Sequence, residues 1–183
     1  TRHSTLFPYT TLFRSASYII CAVVAAPALI QVGVPDFAAH MFIFYYAVLS
    51  EVSPPTALSP FAAAAITGGD PYRTTLSSWK YTLPAFVTPF MFVLAPDGVG
   101  LLLAGDVGNM IVVSATAVVG VVALAIGAQG WLKVKLNLPE RALFIGAGLL
   151  LAWSALWSDL LGVALAVTAT ALHMLRTRSV VAS

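Results

Sequence analysis

Charged residues are scarce in this sequence: Asp, Glu, Lys and Arg make up only 9% of its 183 positions. An ordinary soluble domain carries about 25%. Too little charge is present to cover a water-facing surface, which excludes a soluble globular protein and a disordered chain. A nucleic-acid binder is excluded as well, because the basic residues are few and scattered and the net charge is only +2. Cys21 is the single cysteine, so neither an internal disulfide nor a thiolate metal cluster can form. Zinc-ligand spacings and nucleophile elbows are missing too. Thr67-Gly68-Gly69-Asp70 lacks the lysine and the strand context of a phosphate cradle. Without an acid–base or metal cluster, the chain is not expected to be an enzyme or to hold a cofactor. What is abundant is apolar: 60% of the residues are hydrophobic and the mean hydropathy is +0.93. These features predict an all-α polytopic membrane protein.

Thr1 to Ser15 differs in character from the rest of the chain, with two arginines, a proline and no sustained apolar run. It lacks the apolar stretch of a secretory signal. Thr5 to Ser15 resembles the conceptual translation of a sequencing-library adapter. We therefore expect residues 1–15 to be a non-native leader, and N-terminal sequence to be missing.

From Ala16 onward the apolar runs predict a succession of helices. Ser17 to about Val34 is a marginal span, or one arm of a hairpin, containing Pro27. Pro35 opens the next helix at its first position, and that helix runs to about Ser53. Pro54 and Pro55 stop it, since each lacks an amide donor and Pro54 disfavours helix at Ser53. Helix resumes from Thr56 to about Thr67 and ends at the turn Gly68-Gly69-Asp70-Pro71. Tyr72 to Tyr81 is an amphipathic interfacial segment. Leu83 to Leu94 is a span kinked by Pro84 and Pro89, and Ala95-Pro96-Asp97-Gly98 is a turn. Val99 to Ala104 is a short surface helix, and Val107 to Trp131 is the longest clean span. After the loop Lys133 to Arg141 comes a hairpin, Arg141 to about Trp157 and Leu160 to about Leu175, turning at Ser158-Asp159. Arg176 to Arg178 closes it.

Outside the leader, the basic residues are Arg73, Lys80, Lys133, Lys135, Arg141, Arg176 and Arg178. This layout puts them all on one side, while the opposite loops carry Asp36, Asp97, Asp106 and Asp159. The positive-inside rule then places the C-terminus in the cytoplasm. Trp79 and Trp131 fall at the inner boundary, Trp153 and Trp157 at the outer one.

The stretch Ser50-Glu51-Val52-Ser53-Pro54-Pro55-Thr56-Ala57 interrupts apolar sequence. Backbone groups freed in hydrocarbon cost several kcal/mol unless protein or a cavity satisfies them. Discontinuous helices are a transporter device in which unwound carbonyls hold Na⁺ or H⁺. Here Val48 to Ser53 would present carbonyls, and the hydroxyls of Ser50, Ser53 and Thr56 would add hard oxygen ligands. Glu51 is the one carboxylate expected inside a span, a functional position by default. It would relay ions or contact substrate, and Tyr45 and Tyr46 could donate to substrate. His40 is expected to be packed or interfacial, and His173 interfacial. Asn109 and Ser114 are read as helix–helix hydrogen-bonding residues. Gly100, Gly105, Gly108, Gly120 and Gly127 suggest close packing. Three readings stay open on the residues alone: a secondary transporter, a proton- or ion-translocating protein of another superfamily using Glu51, and an accessory structural subunit.

Pro27 to Val93 resembles the C-terminal repeat of the large membrane subunit of tripartite ATP-independent periplasmic (TRAP) transporters, most closely the fused type. The resemblance rests on AAHMFIFYYAVLS, the SPPTAL break, the alanine-rich half-helix ending in GGDP, and WKYTLPAFVTPFMFV. It implies that residues 16–94 are the C-terminal half of an inverted-repeat core, and that 95–183 form a C-terminal extension of about three spans. It further implies a Na⁺-coupled importer of organic anions, often carboxylates, in the bacterial inner membrane. Its partners would be an extracytoplasmic binding protein, the missing part of the permease with its small subunit, and the bilayer. Carried over, the cation site falls on Leu49, Ser50, Val52, Ser53, Pro54 and Thr56. Glu51 departs from the small or apolar residue expected there.

Overall fold

The computed structural model describes the backbone of residues 6–181 and the side chains of residues 14–177. Thr1–Thr5 of the leader, Arg2 among them, and the side chain of Arg178 lie outside the described residues. Among the described residues seven α-helices succeed one another: α1 (Leu6–Gln31), α2 (Asp36–Leu49), α3 (Leu58–Thr67), α4 (Pro71–Met91), α5 (Val107–Gln129), α6 (Leu138–Leu151) and α7 (Leu156–Val181). A 3₁₀ helix, Pro96–Leu102, lies between α4 and α5. The strand-type contact among the described residues is one isolated bridge, Trp131 with Lys135. Among the described residues three helices are long and apolar enough to cross a membrane, over Arg14–Gln31, Val107–Gln129 and Leu156–Thr177. A fourth span results if α4 and the 3₁₀ helix, bent by 118°, count as one. The chain is thus an all-α, polytopic membrane protein.

Several boundaries differ from expectation, each for a local reason. The first helix starts at Leu6 rather than near Ser17, because Pro8 falls in its first turn, where amides have no intrahelical partner. Pro27 sits inside it without ending it. Pro35 caps α2 instead of opening it, and its carbonyl accepts the Ala39 amide at 2.9 Å. Tyr72–Tyr81 and Leu83–Leu94 are not separate: Pro84 and Pro89 are absorbed into one α4. The 3₁₀ helix begins at Pro96, three residues before the expected Val99. The last hairpin turns at Ala152–Ala155, not at Ser158-Asp159. Ser154 takes φ 48°, and the Ser158 hydroxyl accepts the Ala155 amide, so both Ser158 and Asp159 start α7. That helix continues past Arg176 and Arg178 to Val181.

The chain divides into two compact units, residues 1–79 and 80–183. In the first, α1 packs on α2 through Ala26, Ala38, Ala39, Ile43 and Ala47, all buried. Tyr18 meets the Phe44 ring edge-on at 6.1 Å. In the second, α5, α6 and α7 form the core around Ala123, Leu136, Phe144, Ala147 and Ala169. Small residues allow close approach in the absence of a hydrophobic driving force between helices. A Cβ on Gly127 would lie 2.7 Å from Ile145 Cγ1, and one on Gly148 would lie 2.8 Å from the Gly120 carbonyl. Gly105, by contrast, has open space around it and serves the turn before α5 with φ +109°. Asn109 does not bridge two spans; its amide donates to the Asp97 carbonyl in the 3₁₀ segment at 3.1 Å.

His173 is fully buried rather than interfacial. Its Nδ1 lies 3.3 Å from Glu140 Oε2, the oxygen that Arg176 meets at 3.0 Å. Glu140 stands in the first turn of α6, outside the segments that qualify as spans, where its carboxylate accepts the Asn137 amide at 3.0 Å. Burial alone would push this carboxyl up. The Asn137 amide, the His173 hydrogen bond and the Arg176 and His173 charges outweigh that and hold it below the usual carboxylate value.

This packing leads to two expected outcomes. Gly148→Ala should destabilise the second unit by about 1–3 kcal/mol through overpacking, whereas Gly146→Ala, with nothing within 4 Å of its Cβ, should be near neutral. Thermal unfolding in detergent distinguishes them, and equal effects would sink the close-packing argument. The lowered Glu140 pKa means its stabilisation is complete above the unfolded carboxylate value of about 4.3 and fades as pH falls through the folded value. Glu140→Gln should therefore lower the melting temperature at pH 7 and lose that deficit progressively in acid.

Candidate functional site

Neither α2, about 21 Å long, nor α3, about 15 Å, can cross a hydrocarbon core of about 30 Å alone. Between them residues 50–57 are turns, with a cis peptide at Pro54-Pro55 and left-handed Ala57 (φ 43°) as the N-cap of α3. The break is thus wider than the sequence suggested: α2 ends at Leu49 rather than Ser53, and α3 starts at Leu58 rather than Thr56.

The freed carbonyls are answered locally. Ser50 Oγ donates to the Ala47 carbonyl at 2.7 Å, and Ser53 Oγ to the Leu49 carbonyl at 3.2 Å. Thr56 Oγ1 hydrogen-bonds the Ser50 carbonyl and lies 3.3 Å from the Ser53 carbonyl. Backbone amides complete the set: Val52 to Leu49 at 3.1 Å, Ala57 to Ser53 at 3.0 Å, and Ser59 to Glu51 at 3.3 Å. Three hydroxyl and several carbonyl oxygens therefore gather within one turn. A hydroxyl that donates its proton to a carbonyl keeps two lone pairs, and the Ser50 carbonyl, which accepts from Thr56, keeps one, whereas the Leu49 and Ser53 carbonyls each accept two hydrogen bonds. Chemically this is a nest of neutral, hard oxygen donors.

A cleft of about 420 Å³ opens against it. Ser50, Ser53, Pro54 and Thr56 line the cleft together with Tyr46. Across it, α1 contributes Ser17 and Cys21, which the sequence alone did not suggest; their spacing of four, one helical turn, was the available signal. Leu49 does not line the cleft; its carbonyl accepts the Ser53 hydroxyl behind it. Val52, Tyr45 and Glu51 are not among the lining residues. The Glu51 side chain, 14% exposed, pairs with Arg14 of α1.

His40 belongs to a second, larger cleft of about 870 Å³ between α1 and α2, lined also by Tyr18, Phe37, Met41 and Phe44. Its Nδ1 lies 2.9 Å from the Tyr18 hydroxyl and its Nε2 3.6 Å from Asp36. It is half-exposed and tethered, in keeping with a packed or interfacial role.

The family model described as "Tripartite ATP-independent periplasmic transporter, DctM component" matches residues 6–98, just over half of the chain. No curated protein and no solved structure matches.

The Thr56 hydroxyl links both sides of the break. Thr56→Val should speed hydrogen exchange at the Val52 and Ala57 amides about five-fold, the equivalent of one net hydrogen bond of about 1 kcal/mol. Thr56→Ser should leave exchange near native. Unchanged protection in Thr56→Val would show that the prolines alone hold the break.

Proposed function

The chain belongs to the DctM component family of TRAP transporters, and we propose from that premise that it forms the C-terminal part of a Na⁺-coupled permease. Family and fold together make it a multi-pass membrane protein of secondary-transporter type. Membership also implies an extracytoplasmic substrate-binding partner. The finer reading is that the permease imports organic anions, carboxylates foremost, across a bacterial inner membrane with its C-terminus cytoplasmic. Seven basic residues falling on one side of the expected layout support that orientation.

The observation that carries the cation reading is the oxygen nest between α2 and α3. The Ser50 carbonyl and the Ser50, Ser53 and Thr56 hydroxyls keep lone pairs and are neutral, and the Leu49 and Ser53 carbonyls would join by exchanging a hydrogen bond for the ion, so a sodium ion would bring the charge to the site. Val52 and Pro54 act through the backbone they shape. Breaking the helix is costly in hydrocarbon, and an ion that uses the freed carbonyls offsets the cost. Na⁺ occupancy would then stiffen the break, linking ion binding to the state of α2 and α3. Tyr46, which lines the cleft, is better placed for substrate than Tyr45. The Glu51 side chain turns to a basic partner and adds no carboxylate oxygen to the nest, which supports keeping it outside the cation site.

The test uses the full-length permease and its binding protein in liposomes. Uptake should require an inward Na⁺ gradient and fail with K⁺ alone. Thr56→Val and Ser53→Ala should each raise the Na⁺ concentration for half-maximal uptake about tenfold, about 1.4 kcal/mol. Glu51→Gln should leave the Na⁺ dependence unaltered. Loss of activity in Glu51→Gln with a new pH dependence would instead favour proton relay.

A further inference from the structure

The loop from α5 to α6, residues 130–137, is short, closed and tightly held. Trp131 and Lys135 form an antiparallel bridge, the Leu136 amide donates to the Gly130 carbonyl at 2.9 Å, and Leu132 to Val134 at 3.3 Å. Its side chains alternate. Leu136, 5% exposed, sits in the core of the second unit, and Leu132 packs against that core. Trp131, Lys133 and Lys135 face outward, with Trp131 61% exposed, and Leu138 just beyond is 80% exposed. Arg176 of α7 pins the loop by donating to the Lys135 carbonyl while it pairs with Glu140.

The charges around the loop divide into two kinds. Arg141 is committed to the Gly127 and Ala128 carbonyls at 3.1 and 3.3 Å, and Arg176 to Glu140. Lys133 and Lys135 are exposed and meet no acidic side chain among the described residues. The loop itself contains no acidic residue. It comes directly after α5, the 23-residue span of highest hydropathy, so it emerges where hydrocarbon gives way to headgroups.

We propose that this loop is a docking surface for the headgroup of an anionic phospholipid. Trp131 and Leu138 enter the interface, where an indole suits both the apolar and the wet side. The two ammonium groups meet the headgroup phosphate, an attraction that acts within a Debye length and weakens with salt. Because Leu132, Leu136 and Arg176 fix the backbone, the lysines are presented without the loop having to order first.

The experiment places the full chain in nanodiscs of phosphatidylcholine, with or without phosphatidylglycerol, and tracks thermal unfolding. Phosphatidylglycerol should raise the melting temperature of the native chain, and high salt should cancel the rise. The double variant Lys133→Gln/Lys135→Gln should melt normally in phosphatidylcholine yet need about tenfold more phosphatidylglycerol for the same rise. Lys133→Arg/Lys135→Arg should behave as native. An undiminished response in the double glutamine variant would overturn the proposal. So would an equal loss in Arg73→Gln, which removes an exposed charge elsewhere, because the effect would then be one of net charge.

Discussion

Every peptide group in an apolar setting needs a partner, and residues 50–57, between two apolar helices each too short to cross alone, meet that demand without a helix. Two prolines remove donors, and two short helices leave end carbonyls and end amides facing each other. Ser50, Ser53 and Thr56 supply the hydroxyls that answer the carbonyls within one or two turns. The break is thus a folded object with its own hydrogen bonds. Its position at the end of α2, beside Tyr46 and across from Ser17 and Cys21, makes the local bonding solution the wall of a cleft. Site and fold share one cause.

The second unit answers a different demand. Apolar surface is no penalty in lipid, so α5, α6 and α7 gain little by hiding it. Their contact depends on backbone approach at Gly120, Gly127, Gly148 and Gly162, which lets small side chains such as Ala123, Ala147 and Ala169 meet. Its main buried polar cluster, Glu140 with His173 and Arg176, lies at one end of the bundle and joins α6, α7 and the loop between α5 and α6.

Much of this was legible in the residues. Apolar runs gave the helical membrane class, Pro54-Pro55 located the break, and the hydroxyls flanking it, Ser50, Ser53 and Thr56, form one side of the cleft wall. Boundaries were less legible where proline acts differently by context. Pro35 caps, Pro27, Pro84 and Pro89 sit within helices, and Pro54-Pro55 lies in a break that opens five residues earlier, after Leu49. The spacing of a proline does not say whether neighbouring turns can absorb its missing donor. Ser158-Asp159 reads as a turn but starts a helix, because the Ser158 hydroxyl satisfies an amide three residues earlier. Glu140 and His173 are distant in sequence, and their pairing depends on the register of α6 against α7, which no local pattern encodes. The contribution of α1 to the cleft was hidden for the same reason.

The interlocked glycines carry a mechanical corollary. Gly148 faces the Gly120 carbonyl and Leu124, and Gly162 faces Leu151 and the Ala147 carbonyl. Where main chain touches main chain, one helix cannot slip past its neighbour by even one residue without driving a side chain into a peptide. The three helices are geared together like a ratchet with no free tooth. A displacement of any one of them would therefore have to carry the other two with it.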